Sequence, residues 1–200
     1  WAIDGSFLTV FHAADEDVGG IVERAFGDGA RGLKFQLPVQ GFPADDPRLD
    51  PAYEAAIRRD APVMLHAGNA PMFEGDPNVG VGNFRSLLAS FPELRVCAAH
   101  MGTYQVEEFL AAARDSENVF LDTTFAMSSV AERYMGFDPS TVTDATLVEL
   151  SESIMFGSDV PNIPYPYRAE RAELLGRDLP TETYRDVFYR TAEAFLGPTA

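Results

Sequence analysis

Val63-Met64-Leu65-His66-Ala67-Gly68 is a run of apolar residues, short enough for a buried strand, that ends on a histidine and breaks at a glycine. The same design recurs outward from it. Upstream, Gly32-Leu33-Lys34-Phe35-Gln36-Leu37 carries the only lysine of the chain, and Phe7-Leu8-Thr9-Val10-Phe11-His12 ends on another histidine. Downstream, Leu94-Arg95-Val96-Cys97-Ala98-Ala99-His100-Met101-Gly102 contains the third histidine, and Ile154-Met155-Phe156-Gly157-Ser158-Asp159-Val160-Pro161 places a carboxylate in a turn. Polar, chemically versatile side chains at the C-terminal ends of separate strands converge in a parallel α/β sheet or barrel, where the loops after the strands form the functional face.

Helical patterns fill the intervals, so that six βα units can be read. Asp15-Glu16-Asp17 suits a helix N-terminus, and Val18, Ile21, Val22, Ala25 and Phe26 follow at helical spacing. Asp50-Pro51 reads as a cap and first-turn proline ahead of Tyr53, Ala56 and Ile57, after a long loop over residues 38–50. Phe84, Leu87, Leu88 and Phe91 mark a third helix beyond a Gly-, Pro- and Asn-rich loop at 68–82, and Val106, Phe109, Leu110 and Ala113 mark a fourth. A strand at 119–125 ends in Asp122-Thr123-Thr124, and the last helix shows Tyr184, Val187, Phe188, Thr191 and Phe195 on one face.

Two hundred residues with 46% hydrophobic content can bury one sizeable core, so residues 1–200 are expected to form a single domain. A net charge of −16 repels phosphate backbones and anionic lipid, which argues against nucleic acid and membrane-surface partners and for a small neutral or metal-associated substrate. The single cysteine, Cys97, forbids an internal disulfide and sits in an apolar run, as expected of a cytoplasmic protein with a buried thiol. No apolar run approaches the ~18 residues of a membrane span, and no signal peptide is visible. The chain opens on Trp1 rather than methionine, and the expectation is a piece of a longer sequence.

Neutral imidazole and carboxylate at neighbouring strand ends are the ligands of a catalytic divalent metal, with one position open to water. His66 and Asp159 fit that requirement; zinc is the first expectation and manganese the second. Taken singly, a histidine is more often a satisfied core or surface residue, and an aspartate in such a turn is as often a cap. Three of three histidines at strand ends weaken the first alternative. Lys34 stands out because the other fourteen basic residues are arginine, as if an amine were needed there. Strand alternation puts Lys34 with Gly32 and Gln36 on one face, so Lys34 and Gln36 are candidate substrate-binding residues; the competing reading is a lysine snorkelling at the rim. His12 is a candidate pocket residue only.

Together these motifs resemble the amidohydrolase superfamily, in the amidohydrolase-related branch that includes metal-dependent decarboxylases. The resemblance spans nearly the whole chain and rests on Gly29-Ala30-Arg31-Gly32-Leu33-Lys34-Phe35, Asp46-Pro47-Arg48-Leu49-Asp50-Pro51, Val63-Met64-Leu65-His66-Ala67-Gly68, Phe91-Pro92-Glu93-Leu94-Arg95-Val96, Ala99-His100-Met101-Gly102 and Phe156-Gly157-Ser158-Asp159-Val160-Pro161. It implies a (β/α)₈ TIM barrel represented by strands three to eight, with His66 on the fifth strand, His100 on the sixth and Asp159 on the eighth. It implies His66 as a metal ligand, His100 as acid/base or electrophile beside an activated water, and Asp159 as ligand and proton acceptor. Lys34 matches a fourth-strand position that some branches carboxylate to bridge two metals, although a single metal is commoner in this branch. The family's first-strand His-X-His pair is absent from the sequence. A barrel of this kind needs about 250 residues, so two strands are expected ahead of Trp1, and residues 1–200 alone are expected to bind metal poorly.

The leading expectation is a metal-dependent hydrolase acting on an amide, ester or lactone of a small molecule, with Asp159 or His100 removing a proton from water. A decarboxylase of the same superfamily is the close rival. That rival wants a cation for the leaving carboxylate, and Arg168, soon after the eighth strand, is the only obvious arginine near a strand end. A third reading is a non-catalytic barrel that only binds a ligand. Phe42, Phe73, Tyr104, Phe125, Tyr165 and Tyr167 on candidate loops suit a ring-containing ligand or mere loop packing, and a symmetric homodimer is the default assembly.

Overall fold

A computed structural model describes residues 7–9 and 17–197. Six parallel strands, β1 (Phe7–Thr9), β2 (Ala30–Phe35), β3 (Val63–Leu65), β4 (Val96–Ala98), β5 (Val119–Asp122) and β6 (Ile154–Met155), lie side by side in sequence order. Helices connect them: α1 (Val18–Gly27), α2 (Leu37–Gln40), α3 (Asp50–Arg58), α4 (Val81–Ser90), α5 (Val106–Asp115), α6 (Ser129–Met135) and α7 (Asp144–Glu149). After β6 follow α8 (Arg168–Leu175), α9 (Thr181–Arg185) and α10 (Thr191–Leu196), the last two joined by one π-helical turn. Sequential strand order with a crossover after each strand is the arrangement of a βα barrel wall. Among the described residues β1 and β6 are not paired with each other.

Strand alternation sorts the side chains into two layers. Leu33, Phe35, Val63, Leu65, Val96, Ala98, Val119, Leu121 and Ile154 are fully buried against the surrounding helices. Lys34, Met64, Cys97 and Phe120 stand in register on the opposite, concave side. There Cys97, Phe120 and Met155 cluster with Phe195 of α10, whose ring lies 5.3 Å from that of Phe120. This apolar cluster fills the concave side beside β4, β5 and β6. Burial pushes the Cys97 thiol well above its ordinary range, so it stays protonated.

Several boundaries differ from those the sequence suggests, for local reasons. Residues 38–50 are not one long loop: Leu37 starts the short helix α2, with Pro38 in its first turn and left-handed Gly41 ending it. Asp50 lies inside the first turn of α3 rather than capping it, and Asp46 caps the preceding 3₁₀ turn through the Arg48 amide. The strands at 94–102, 119–125 and 154–159 are shorter than their apolar runs, because the residues that follow turn sharply at the cavity. The segment 10–16, and His12 with it, lies outside the described residues. No helix among the described residues is long and apolar enough to cross a membrane.

Candidate active site

Five of the six non-glycine residues with positive φ among the described residues, His100, Met101, Thr103, Phe125 and Asp159, lie beyond the C-terminal ends of β4, β5 and β6. The left-handed conformation costs such residues of order 1–3 kcal/mol each, and its concentration at one end of a sheet marks a place where side-chain direction matters more than local comfort. His100 (φ 58°) and Met101 (φ 51°) form a tight turn that takes His100 off the strand axis. The turn is possible because the loop after β3 presses against it: a Cβ on Gly68 would lie 2.3 Å from the Gly102 carbonyl oxygen. Only glycine permits that approach, and it brings the His66 and His100 rings to 4.9 Å between centroids, edge to face.

Asp122, at the end of β5, holds the turn in place. Its Oδ1 accepts the backbone N–H of His100 at 3.3 Å and that of Thr124 at 2.9 Å. Sequence reasoning left Asp122 out of the site; its only local signal is a carboxylate closing an apolar strand ahead of two threonines. His100 Nδ1 lies 3.3 Å from the Thr124 carbonyl oxygen. A carbonyl can only accept, so Nδ1 carries the proton and donates it there, and Nε2 keeps its lone pair. Burial lowers the His100 pKa, while Asp122 opposes it, Lys34 adds to it, and Asp159 opposes it more weakly.

His66 follows β3 directly and is 5% exposed. Both its ring nitrogens are buried without a hydrogen-bond partner. Burial first, then His100 and Lys34, lowers its pKa to about 3, so the ring is neutral. An orphaned polar nitrogen costs a fold about 1–3 kcal/mol, and a neutral imidazole with a free lone pair is the donor that a divalent cation takes. The donor chemistry of His66 therefore fits a metal. No group of three or more His, Cys, Asp or Glu side chains that could hold one is found among the described residues.

Asp159 is exposed, four residues past β6, in a loop tethered to the residue just after β5 by the Gly157 amide, which donates to Thr123 Oγ1 at 3.2 Å. Its Oδ1 accepts from the Asn162 side-chain amide at 3.2 Å. Lys34, half-buried on the concave side of β2, forms no ion pair with a described residue. A cavity of about 640 Å³ collects Lys34, Gln36, His66, His100 and Asp159, walled by Phe73, Phe125, Tyr134 and Met135. A smaller chamber of about 220 Å³ behind His100 shares Lys34, His100 and Asp159 and adds Asp122, Thr124 and Ser158. Gln36 is not a strand residue; it is the N-cap residue ahead of α2, and its backbone N–H donates to Gln40 Oε1 at 2.7 Å.

One expected site residue is elsewhere. Arg168 opens α8, exposed, and lines a separate hollow with Pro166, Ala169, Arg171, Ala172 and Leu175. Closeness in sequence to a strand end misleads here, because ten residues of loop after Gly157 carry the chain outward before the helix begins. Of the aromatic residues, Phe73 and Phe125 line the main cavity, whereas Phe42 is fully buried in the core. Tyr134 and Met135 reach the cavity from α6 without any motif to announce them.

The model of a family described as "Amidohydrolase" matches residues 2–197. No curated protein matches the chain. Among solved structures, it is similar to an uncharacterized TIM-barrel protein from Bordetella bronchiseptica, at 18% identity and a TM-score of 0.74, over 96% of this chain and 65% of that one. It is also similar to a candidate 2-pyrone-4,6-dicarboxylic acid hydrolase from Pseudomonas putida (16% identity, TM-score 0.66, over 96% and 71%). A third is a 5-carboxyvanillate decarboxylase from Novosphingobium aromaticivorans, complexed with manganese and a nitrobenzoic acid (16% identity, TM-score 0.61, over 94% and 63%). The chain spans about two thirds of the length of these structures. With a family match across nearly all its residues, a barrel-wall sheet, and His66 and His100 gathered at the strand C-termini, the chain belongs to the amidohydrolase family.

Proposed function

We propose that the protein is a metal-dependent hydrolase of small molecules in which His100 is the general base. The observation that carries this reading is the Nδ1 hydrogen bond to the Thr124 carbonyl, which fixes the tautomer and turns the basic Nε2 to the task of accepting a proton. His66 and Asp159 would hold the cation, zinc or manganese, which when bound supplies Lewis acidity toward water or a substrate oxygen. Lys34 pairs with an anionic group of the substrate, and Phe73, Phe125 and Tyr134 pack against its apolar part and exclude water. Amide, ester and lactone bonds are the reactive groups that a base and a Lewis acid open together.

A second reading is decarboxylation, and one feature favours it: Lys34 gives the aromatic-walled cavity a cation able to hold a carboxylate. Similarity to a decarboxylase solved with manganese supports it equally. One experiment separates the two. Intact protein loaded with zinc or manganese is offered a panel of aromatic carboxylates, esters and lactones, with acid release and carbon dioxide followed in parallel. Acid release without carbon dioxide is the expected result; carbon dioxide release transfers the assignment to the lyase, and neither product from any member of the panel contradicts both.

A further inference from the structure

We infer that Glu170 is a positioning residue for His100, acting through Phe125. Glu170 lies on α8, outside the cavity, and is 1% exposed. Its Oε1 accepts the backbone N–H of Phe125 at 3.2 Å and also the hydroxyl of Tyr165. Its Oε2 is buried with no partner. Burying a carboxyl is costly, and a leucine would suit an apolar helix face better, as Leu174 shows one turn further along the same helix. What the carboxyl adds is a junction between two loops that are distant in sequence: the one after β5, which carries Phe125, and the one after β6, which carries Tyr165.

Phe125 is held at φ 59°. Its ring stands edge-on to His100 at 5.7 Å and 78°, and edge-on to Tyr165 at 5.5 Å and 84°. The Tyr165 ring in turn stacks on the cavity residue Tyr134 at 6.1 Å. Glu170 thus fixes the backbone at the residue whose ring covers one side of His100, and the Tyr165 hydroxyl fixes Glu170. Without an acceptor at this position the Phe125 amide is orphaned, the left-handed conformation loses its support, and the ring is free to leave the imidazole. Burial raises the Glu170 pKa, with Tyr165 and Phe125 opposing. Both hydrogen bonds converge on one oxygen, so a side-chain amide, whose oxygen accepts equally well, can replace the acid.

This inference rests on His100 being the base of the proposed reaction, and its test reads ring geometry instead of turnover, so that either can fail without the other. Histidine-labelled intact protein is examined by NMR, with the His100 ring signal identified by its disappearance in His100→Asn. Glu170→Gln is expected to keep the His100–Phe125 ring Overhauser contact and the His100 ring shift. Glu170→Leu is expected to lose the contact and shift the resonance while circular dichroism reports an intact fold. Should the leucine variant fail to fold, Glu170→Asp, which keeps the acid but withdraws its oxygens by one methylene, takes its place with the same expected loss. Retention of the contact in a folded Leu or Asp variant, or its loss in Glu170→Gln, overturns the inference.

Discussion

Gly68 and Gly102 touch backbone to backbone across two loops, and that contact sets the distance between His66 and His100. The first glycine follows β3 and the second follows β4, so the pairing of neighbouring strands continues past their ends, where Asn69 and Thr103 form one further parallel bridge. A methyl group at Gly68 has nowhere to go. Gly68→Ala is therefore expected to destabilise the fold by roughly 1–3 kcal/mol, the usual cost of overpacking, and to part the two rings. Urea unfolding together with the His66–His100 ring contact by NMR checks both; an unchanged midpoint would remove the junction from the account.

Metal binding should depend on His66 and Asp159. Each changed to alanine is expected to lower the zinc or manganese content of the intact protein, measured by elemental analysis after dialysis. Unchanged content in both variants would exclude them as ligands.

His66 also makes the stability of the metal-free protein depend on pH. Its folded-state pKa of about 3 lies below the ordinary histidine value of 6.5, so between these values the unfolded chain binds a proton that the folded chain refuses. Stability from this group is complete above pH 6.5 and falls as pH drops. From pH 6.5 to 4.5, before most carboxylates titrate, the loss is about 2–3 kcal/mol, and the depressed His100 acts in the same direction. Urea unfolding of His66→Leu beside the unsubstituted protein should show the variant gaining relative stability as pH falls through that window. A constant difference would mean that His66 is not buried neutral.

Lys34 is the cation the cavity offers to an anionic ligand. Lys34→Gln is expected to weaken binding of benzoate-type carboxylates by about tenfold, an interaction worth roughly 1.4 kcal/mol, with less effect on uncharged analogues. Calorimetric titration checks this, and equal losses for charged and uncharged ligands would assign Lys34 a packing role.

Much of this arrangement is legible in the sequence, because apolar runs of strand length alternating with helical periodicity demand a parallel sheet, and a polar residue at the end of each run has one face on which to gather. His66 and Lys34 are legible on that ground. The turn at His100 is not: Ala99-His100-Met101-Gly102 continues an apolar run, and nothing local demands positive φ. The contact with Gly68 decides it. Tyr134 and Met135 are equally hidden, since their helix reaches the cavity only through its packing, and Arg168 shows the reverse error, in which nearness along the chain stands in for nearness in space. Glu170 looks like one more surface acid on a charged helix until the Phe125 amide and the Tyr165 hydroxyl are seen to converge on it.

The central claim is that His100 does chemistry rather than holding metal or structure. The direct test is turnover per bound metal in His100→Asn, on whichever substrate the panel identifies, with metal content measured in the same sample. Metal content equal to that of the unsubstituted protein and turnover lower by roughly 10² or more is the predicted result. Undiminished turnover at equal metal content would contradict the account.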